Sequence, residues 1–183
     1  MKGKHHMIAG AVTGACIVTS AICEGGYGMG PLITGLAGAT IGSLFPDIDS
    51  STSKLGSKFK IVSRIISNMF GHRGLFHCPL LIIGFFFLFR NLFSQWGWGA
   101  YSIGYIGFLC GMMIHLVCDM TTRGGIPILY PFYTTKFSVT PMRSGSKWEP
   151  LMLFIVIVGI IAAFVALMAS EVYLGSMPWL FAK

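Results

Sequence analysis

The sequence predicts an all-α fold: a polytopic membrane helical bundle of about five apolar spans plus a short interfacial amphipathic helix, forming a single integral membrane domain over residues 1–183. Three observations predict it. The chain is 54% hydrophobic and only 10% charged, with a mean hydropathy of +0.74, far greasier than an ordinary soluble domain. The apolar residues gather into five segments divided by polar loops. Small residues recur inside those segments at the spacing that lets helix backbones meet in lipid.

The segments run from about Met7 to Cys23, Pro31 to Phe45, Pro79 to Phe93, Gly99 to Cys118 and Leu151 to Ala169. The last two have the length of a bilayer-crossing helix, whereas the second and third are short enough to require tilt, flanking residues or burial in protein. The first, preceded by "MKGKHH", also resembles a signal peptide. No small-x-small cleavage site followed by a polar stretch accompanies it, so it is expected to stay as a span. Gly10 and Gly14, Gly38 and Gly42, and Gly107 and Gly111 each form a GxxxG, and three of them favour a compact bundle. Between the second and third segments, residues 59–70 place Phe59, Ile61, Val62, Ile65, Ile66, Met69 and Phe70 on one half of a helical wheel. Lys60, Ser63, Arg64, Ser67 and Asn68 fill the other half, the pattern of a basic amphipathic helix lying on a membrane surface or packing on its own protein.

Charge sets the expected orientation. If the five spans alternate, one face receives Lys2, Lys4, Lys54, Lys58, Lys60, Arg64, Arg73, Arg123, Lys136, Arg143 and Lys147, and the other receives only Arg90 and Lys183. By the positive-inside rule the crowded face, which includes the N-terminus, is cytoplasmic in a multi-pass protein. The formal charge of +7 therefore reads as membrane orientation, not nucleic-acid binding, since no basic run interleaved with stacking aromatics lies outside the apolar segments. Cys16, Cys23, Cys78, Cys110 and Cys118 are an odd count without a CxxC and read as small buried hydrophobes.

The groups able to bind metals or move protons fall on that same crowded face. His5 and His6 open the first span, Asp47 and Asp49 of "PDID" follow the second, His72 and His77 of "HRGLFHCP" precede the third, His115 and Asp119 close the fourth, and Glu149 opens the fifth. His115 and Asp119, four apart on a helix, share a face about 6 Å apart along the axis. Asp47 and Asp49 flank Ile48 and point the same way if the backbone is extended. His72 and His77 would splay by about 140° on a continuous helix, but Pro79 favours a helix start near Cys78 and Gly74 permits a turn before it. Imidazole and carboxylate ligands without thiolates suit a divalent ion: zinc first, manganese or iron as alternatives, one or two ions. His6, Asp47, Asp49, His72, His77, His115 and Asp119 are the candidate ligands. Water acidified in such a centre gives its proton to a carboxylate or histidine, and Asp49, His77 and Glu149 are the candidates for that catalytic work. Arg73, Arg143 and Lys147 are the candidate contacts for an anionic substrate, phosphate first.

The order of "HHMIAG", "PDID", "HRGLFH", "HLVCDMTTRGGIPILYPF" and "RSGSKWE" resembles the YdjM-like family, bacterial inner-membrane proteins under LexA control in the SOS response and described as metal-dependent hydrolases. The resemblance runs from His6 to Glu149. It implies a metal site in which His6 matches the histidine opening the first span. Asp47 and Asp49 match a PDxD pair, His72 and His77 an HRxxxH pair, and His115 and Asp119 an HxxxD pair. Phe76 and Cys78 flank His77 where threonine and serine are expected, a departure that bears on local hydrogen bonding and not on the histidine. The "GGIPILYPFYTTKFSV" stretch reads as a helix-breaking, aromatic-rich interfacial loop.

The leading expectation is a membrane-embedded metal-dependent hydrolase acting at the inner leaflet on a phosphoester or other lipid-linked bond, with a membrane lipid or lipid-linked molecule as substrate and a homo-oligomer left open. A metal-ion or proton transporter would use the same ligands but needs ionisable groups near mid-membrane. A membrane scaffold with a structural metal is the third reading.

Overall fold

The computed structural model describes residues 1–25, 27–71, 73–95 and 102–175. Among them the chain forms α1 (Gly3–Glu24), α2 (Met29–Gly42), a 3-10 turn at Pro46–Asp49, α3 (Lys60–Phe70), a second 3-10 turn at Leu75–His77, α4 (Pro79–Gln95), α5 (Ser102–Met120) and α6 (Glu149–Gly175). Four stretches are long and apolar enough to cross a membrane: Gly3–Glu24, Met29–Asp49, Ser102–Met120 and Glu149–Ser170. The shorter apolar helix Pro79–Leu92 is the fifth expected segment. The Gly99 start of the fourth expected segment lies outside the described residues.

Each helix begins or ends where its residues require. Pro79 takes the first position of α4, and Pro46 starts the 3-10 turn that ends α2, where a missing N–H costs nothing. Gly25 at φ 78° closes α1, and Gly125 at φ 56° turns the chain away from α5.

The centre of the bundle is α1, α2 and α5, and small residues put it there. A Cβ on Gly42 would collide with the Phe108 carbonyl oxygen, and one on Gly111 with the Ala39 carbonyl oxygen. On the α1 side a Cβ on Gly10 would collide with Ser43. Backbones this close gain dispersion and polar contacts that lipid cannot supply, so the expected GxxxG pairs are the packing surfaces. Phe45, Phe85 and Phe108 then form an edge-to-face cluster, with centroids 5.2 Å apart for Phe45–Phe108 and 5.7 Å for Phe45–Phe85, joining the first 3-10 turn to α4 and α5. α6 packs more loosely, through Leu153 and Val156 against Met1, Ala9 and Cys118.

The amphipathic helix is α3, and its apolar side faces away from the protein. Ile61 is 78% exposed and Met69 68%, while Ser63 on the opposite side is fully buried. Of the two expected settings for this helix, packing of its apolar face on the chain's own helices is therefore not the one formed. The loop from 121 to 148 is tied down by polar contacts: the Ser138 hydroxyl donates to the Thr122 carbonyl at 2.6 Å, and Thr140 to the Thr121 carbonyl at 2.6 Å. Its aromatic tip is open, with Phe132 84% exposed. All five cysteines are free.

Candidate metal centre

The fold brings the starts of α1 and α6, the ends of α2 and α5 and the turn before α4 to one end of the bundle, and the buried ionisable groups meet there. His6, His77, His115, Asp49 and Asp119 are all essentially closed to solvent. Asp47, with its side chain 19% exposed, is the member on the open side.

Four donor atoms face one another. His115 Nε2 lies 3.3 Å from His77 Nε2. Asp47 Oδ1 lies 3.8 Å from each of those nitrogens. Asp119 Oδ2 lies 3.5 Å from His77 Nε2 and 3.9 Å from His115 Nε2. Ligands at ~2.0–2.2 Å from one tetrahedral ion stand ~3.3–3.6 Å from one another, so His77 and His115 with either carboxylate need only a small contraction to hold one. His6 stacks on His115 with ring centroids 3.9 Å apart and reaches to 3.4 Å from Asp119 Oδ1. Both His6 nitrogens are buried without a hydrogen bond, a costly state for an imidazole unless a ligand completes it. Two overlapping groups could hold a metal ion, His6 with His115 and Asp119, and Asp47 with His77 and His115.

The surroundings aim the ligands. His115 Nδ1 is 2.7 Å from the Ser43 carbonyl, which can only accept, so the proton sits on Nδ1 and the Nε2 lone pair points into the cluster. His77 Nδ1 stands 3.2 Å from Asp49 Oδ2, the carboxylate behind a ligand histidine that fixes its tautomer in the same way. Asp49 is thereby placed behind His77, outside the ring of facing donors. Burial disfavours a charge on His77, but its hydrogen bonds to Asp47 and Asp49 and the fields of Asp49 and Asp119 outweigh it and raise its pKa to about 9. Without a metal, the proton on His77 supplies part of the positive charge that these carboxylates require.

Arg73 brings a guanidinium cation to the site. Its guanidinium lies 2.9 Å from Asp119 Oδ2 and donates to the Gly125 carbonyl at 3.3 Å, while its backbone N–H donates to Asp49 Oδ2 at 2.7 Å. Its φ of 59° is left-handed, a conformation costing about 1–2 kcal/mol without glycine, so three contacts hold it against strain. Gly124 makes the room, because a Cβ there would overlap the Arg73 guanidinium. The Met1 amine meets the other Asp119 oxygen at 2.8 Å.

Glu149 stands elsewhere. It accepts from His5 Nδ1 at 2.7 Å and from the backbone N–H groups of Lys2 and Gly145, clamping the start of α6 to the start of α1. His5 and His6 are neighbours about 100° apart on the helix, so one side chain joins the clamp and the other the cluster. Arg143 and Lys147 are exposed, Lys147 lying 5.7 Å from the Trp148 ring centroid. His72 lies outside the described residues. Where hydroxyl residues were expected around His77, the Cys78 thiol donates to the Leu75 carbonyl at 3.0 Å, a weaker bond that keeps the turn closed. Sequence reasoning placed His5 on this face without giving it a role, and missed the Ser43 carbonyl and Gly124, because a backbone carbonyl and an absent side chain leave no mark.

Membrane-length helices packed around a buried His/Asp cluster define a membrane-embedded helical protein whose interior could hold a metal ion. The chain belongs to the YdjM inner membrane protein family, which it matches over residues 1–180. It is 33% identical over 153 residues to the protein YvsG of Bacillus subtilis (strain 168), covering 84% of this chain and 88% of that one. It is 34% identical over 93 residues to the inner membrane protein YdjM of Escherichia coli (strain K12), covering 51% of this chain and 47% of the relative. The YdjM of Shigella flexneri matches with the same identity and coverage. The chain thus covers about half the length of these two YdjM relatives. No solved structure matches.

Proposed function

We propose that this protein is a membrane-embedded metal-dependent hydrolase, with its metal centre at the cytoplasmic face, cutting a phosphoester or another lipid-linked bond. The observation that carries the reading is the buried convergence of three imidazoles and two carboxylates on one side that remains open at Asp47. His77, His115, Asp47 and Asp119 would hold the ion, zinc first by donor type, with His6 as a further ligand or the start of a second site. A divalent ion so held supplies Lewis-acid activation of water and of the scissile oxygen.

The chain's own groups have distinct parts. Ser43 and Asp49 keep the Nδ1 protons of His115 and His77 and so present both Nε2 lone pairs inward. Asp47, the partly exposed member of the set, would hold the ion on the side from which an attacking water enters. Arg73 neutralises negative charge beside Asp119. Glu149 acts through His5 as a clamp, so its removal loosens α6 before it changes turnover. Among the described residues, the buried ionisable groups sit at this one end of the bundle, which favours hydrolysis over transport, since a transport path needs such groups at mid-membrane.

The test is metal analysis of the purified protein in nanodiscs together with turnover of a panel of lipid phosphoesters. One or two equivalents of a divalent ion are expected, with both metal and hydrolysis lost in His115→Ala. Full turnover by metal-stripped protein would overturn the reading, as would metal uptake into sealed vesicles that fails in the same variant.

A further inference from the structure

Beside the cluster, on the far side of Asp49, a separate polar cavity of about 180 Å³ opens between the first 3-10 turn and α3. It is lined by Asp49, Ser50, Ser51, Ser63, Arg64, Ser67 and Asn68. We propose that this cavity is a phosphoryl subsite, binding the phosphate group of an anionic headgroup next to the metal centre. The inference deepens the hydrolase reading by naming the substrate class, and it rests on that reading only in calling the bound molecule a substrate.

Two independent observations point to a ligand. Ser63 is a lining residue of the cavity and fully buried, and its hydroxyl has no hydrogen-bond partner. A buried hydroxyl left unmade costs free energy that a bound acceptor oxygen would recover. Arg64 contributes a guanidinium that has no ion-pair partner among the described residues, and its forked donors match phosphate geometry. Around them three more serine hydroxyls and the Asn68 amide can donate. The acidic lining residue is Asp49, and its Oδ2 is already taken by the Arg73 N–H at 2.7 Å and faces His77 at 3.2 Å. The cavity is far roomier than a single water needs and its lining is mainly polar, a setting for a phosphoryl group with its nearest waters and not for an acyl chain.

The setting of α3 explains why the cavity is there. Its apolar side, Ile61, Val62, Ile65 and Met69, is exposed, while its polar side walls the cavity. A helix lying in the interface with its apolar side down holds its polar side at headgroup depth. Gly56 sits against this arrangement, since a Cβ there would collide with the Ser50 carbonyl and stand 2.8 Å from the Ser63 hydroxyl.

Thermal unfolding of the whole protein in detergent tests the proposal, with three probes: inorganic phosphate, a short-chain phosphatidic acid, and the diacylglycerol with the same chains. Stabilisation by phosphate and phosphatidic acid, and none by diacylglycerol, is expected. Stabilisation by phosphatidic acid alone also supports the subsite and assigns the phosphate to a lipid. Arg64→Gln should weaken the apparent affinity about tenfold, the loss of one charge-assisted hydrogen bond, whereas Lys58→Gln, with the same change of charge, should not. Ser63→Ala should unfold no earlier than the parent without ligand and yet respond less to it, the signature of a hydroxyl kept for a ligand. Equal responses of parent, Arg64→Gln and Ser63→Ala, or no response in the parent, would overturn the proposal. Absence of metal and of turnover in the unmodified protein, with this response intact, would instead sink the hydrolase reading alone.

Discussion

α5 and α6 both have the length and apolarity of a membrane span, yet half of the most apolar stretch of α5 is buried inside the protein against about a tenth of that of α6. The difference lies in glycine. α5 carries Gly104, Gly107 and Gly111 against α2, so its backbone sits where side chains would otherwise stand, and it can carry His115 and Asp119 into a closed interior. α6 has one internal glycine before its last residue, Gly159, with open space around it, and meets the bundle through a few side chains and the Glu149 clamp. A buried polar site in a membrane is thus built on the helices that can approach most closely.

The comparison breaks most sharply at Gly111. Gly111→Leu sets a side chain against the Ala39 backbone, where neither helix can yield without moving the other. A loss of about 3 kcal/mol or more is expected, the upper range of overpacking. Thermal unfolding and bound metal should fall together, whereas intact metal in a stable variant would show that the α2–α5 approach does not support the site. Next in size is the site itself. Asp119→Asn removes a facing donor, and Asp49→Asn removes the group behind His77. Asp49→Asn should weaken metal about 10- to 100-fold, the usual effect of an outer partner, and Asp119→Asn should exceed it. Competition with a chelator measures both, and the reverse order would exchange the two residues' roles.

How much of this was legible in the sequence follows the same physics. The spans, the GxxxG packing and the amphipathic α3 were readable because each is a local pattern of residue type and spacing. His115 and Asp119 were readable as a pair because four residues on a helix fix their relation. Asp47 and Asp49 were not separable by spacing alone, because a 3-10 turn replaces the extended backbone the reading assumed and sends one carboxylate to the cluster and the other behind His77. Glu149 shared its membrane face with the cluster, and topology alone could not distinguish a catalytic group from a clamp. Its partner His5 decides the matter, and that contact joins residues 144 apart.

The clamp gives a smaller and different effect from the centre. Glu149→Gln keeps the shape but weakens three hydrogen bonds by removing the charge, one from His5 and two from backbone N–H groups. About 1–3 kcal/mol is expected, the cost of disturbing a buried charge-assisted contact. The loss should be local, with faster proteolysis of the 143–149 segment and metal retained, because α6 supplies none of the facing donors. Loss of metal equal to that of Asp119→Asn would make Glu149 part of the centre after all. Smallest of all is the outer side of α6, where Val165 is 57% exposed and Leu167 65%. Val165→Leu exchanges one lipid-facing apolar residue for another and should shift stability by no more than about 0.5 kcal/mol. A larger shift, with a change in the mass of the detergent-solubilised particle, would mean that this side meets a second copy of the chain instead of lipid, and α6 would then be as much a packing helix as α5.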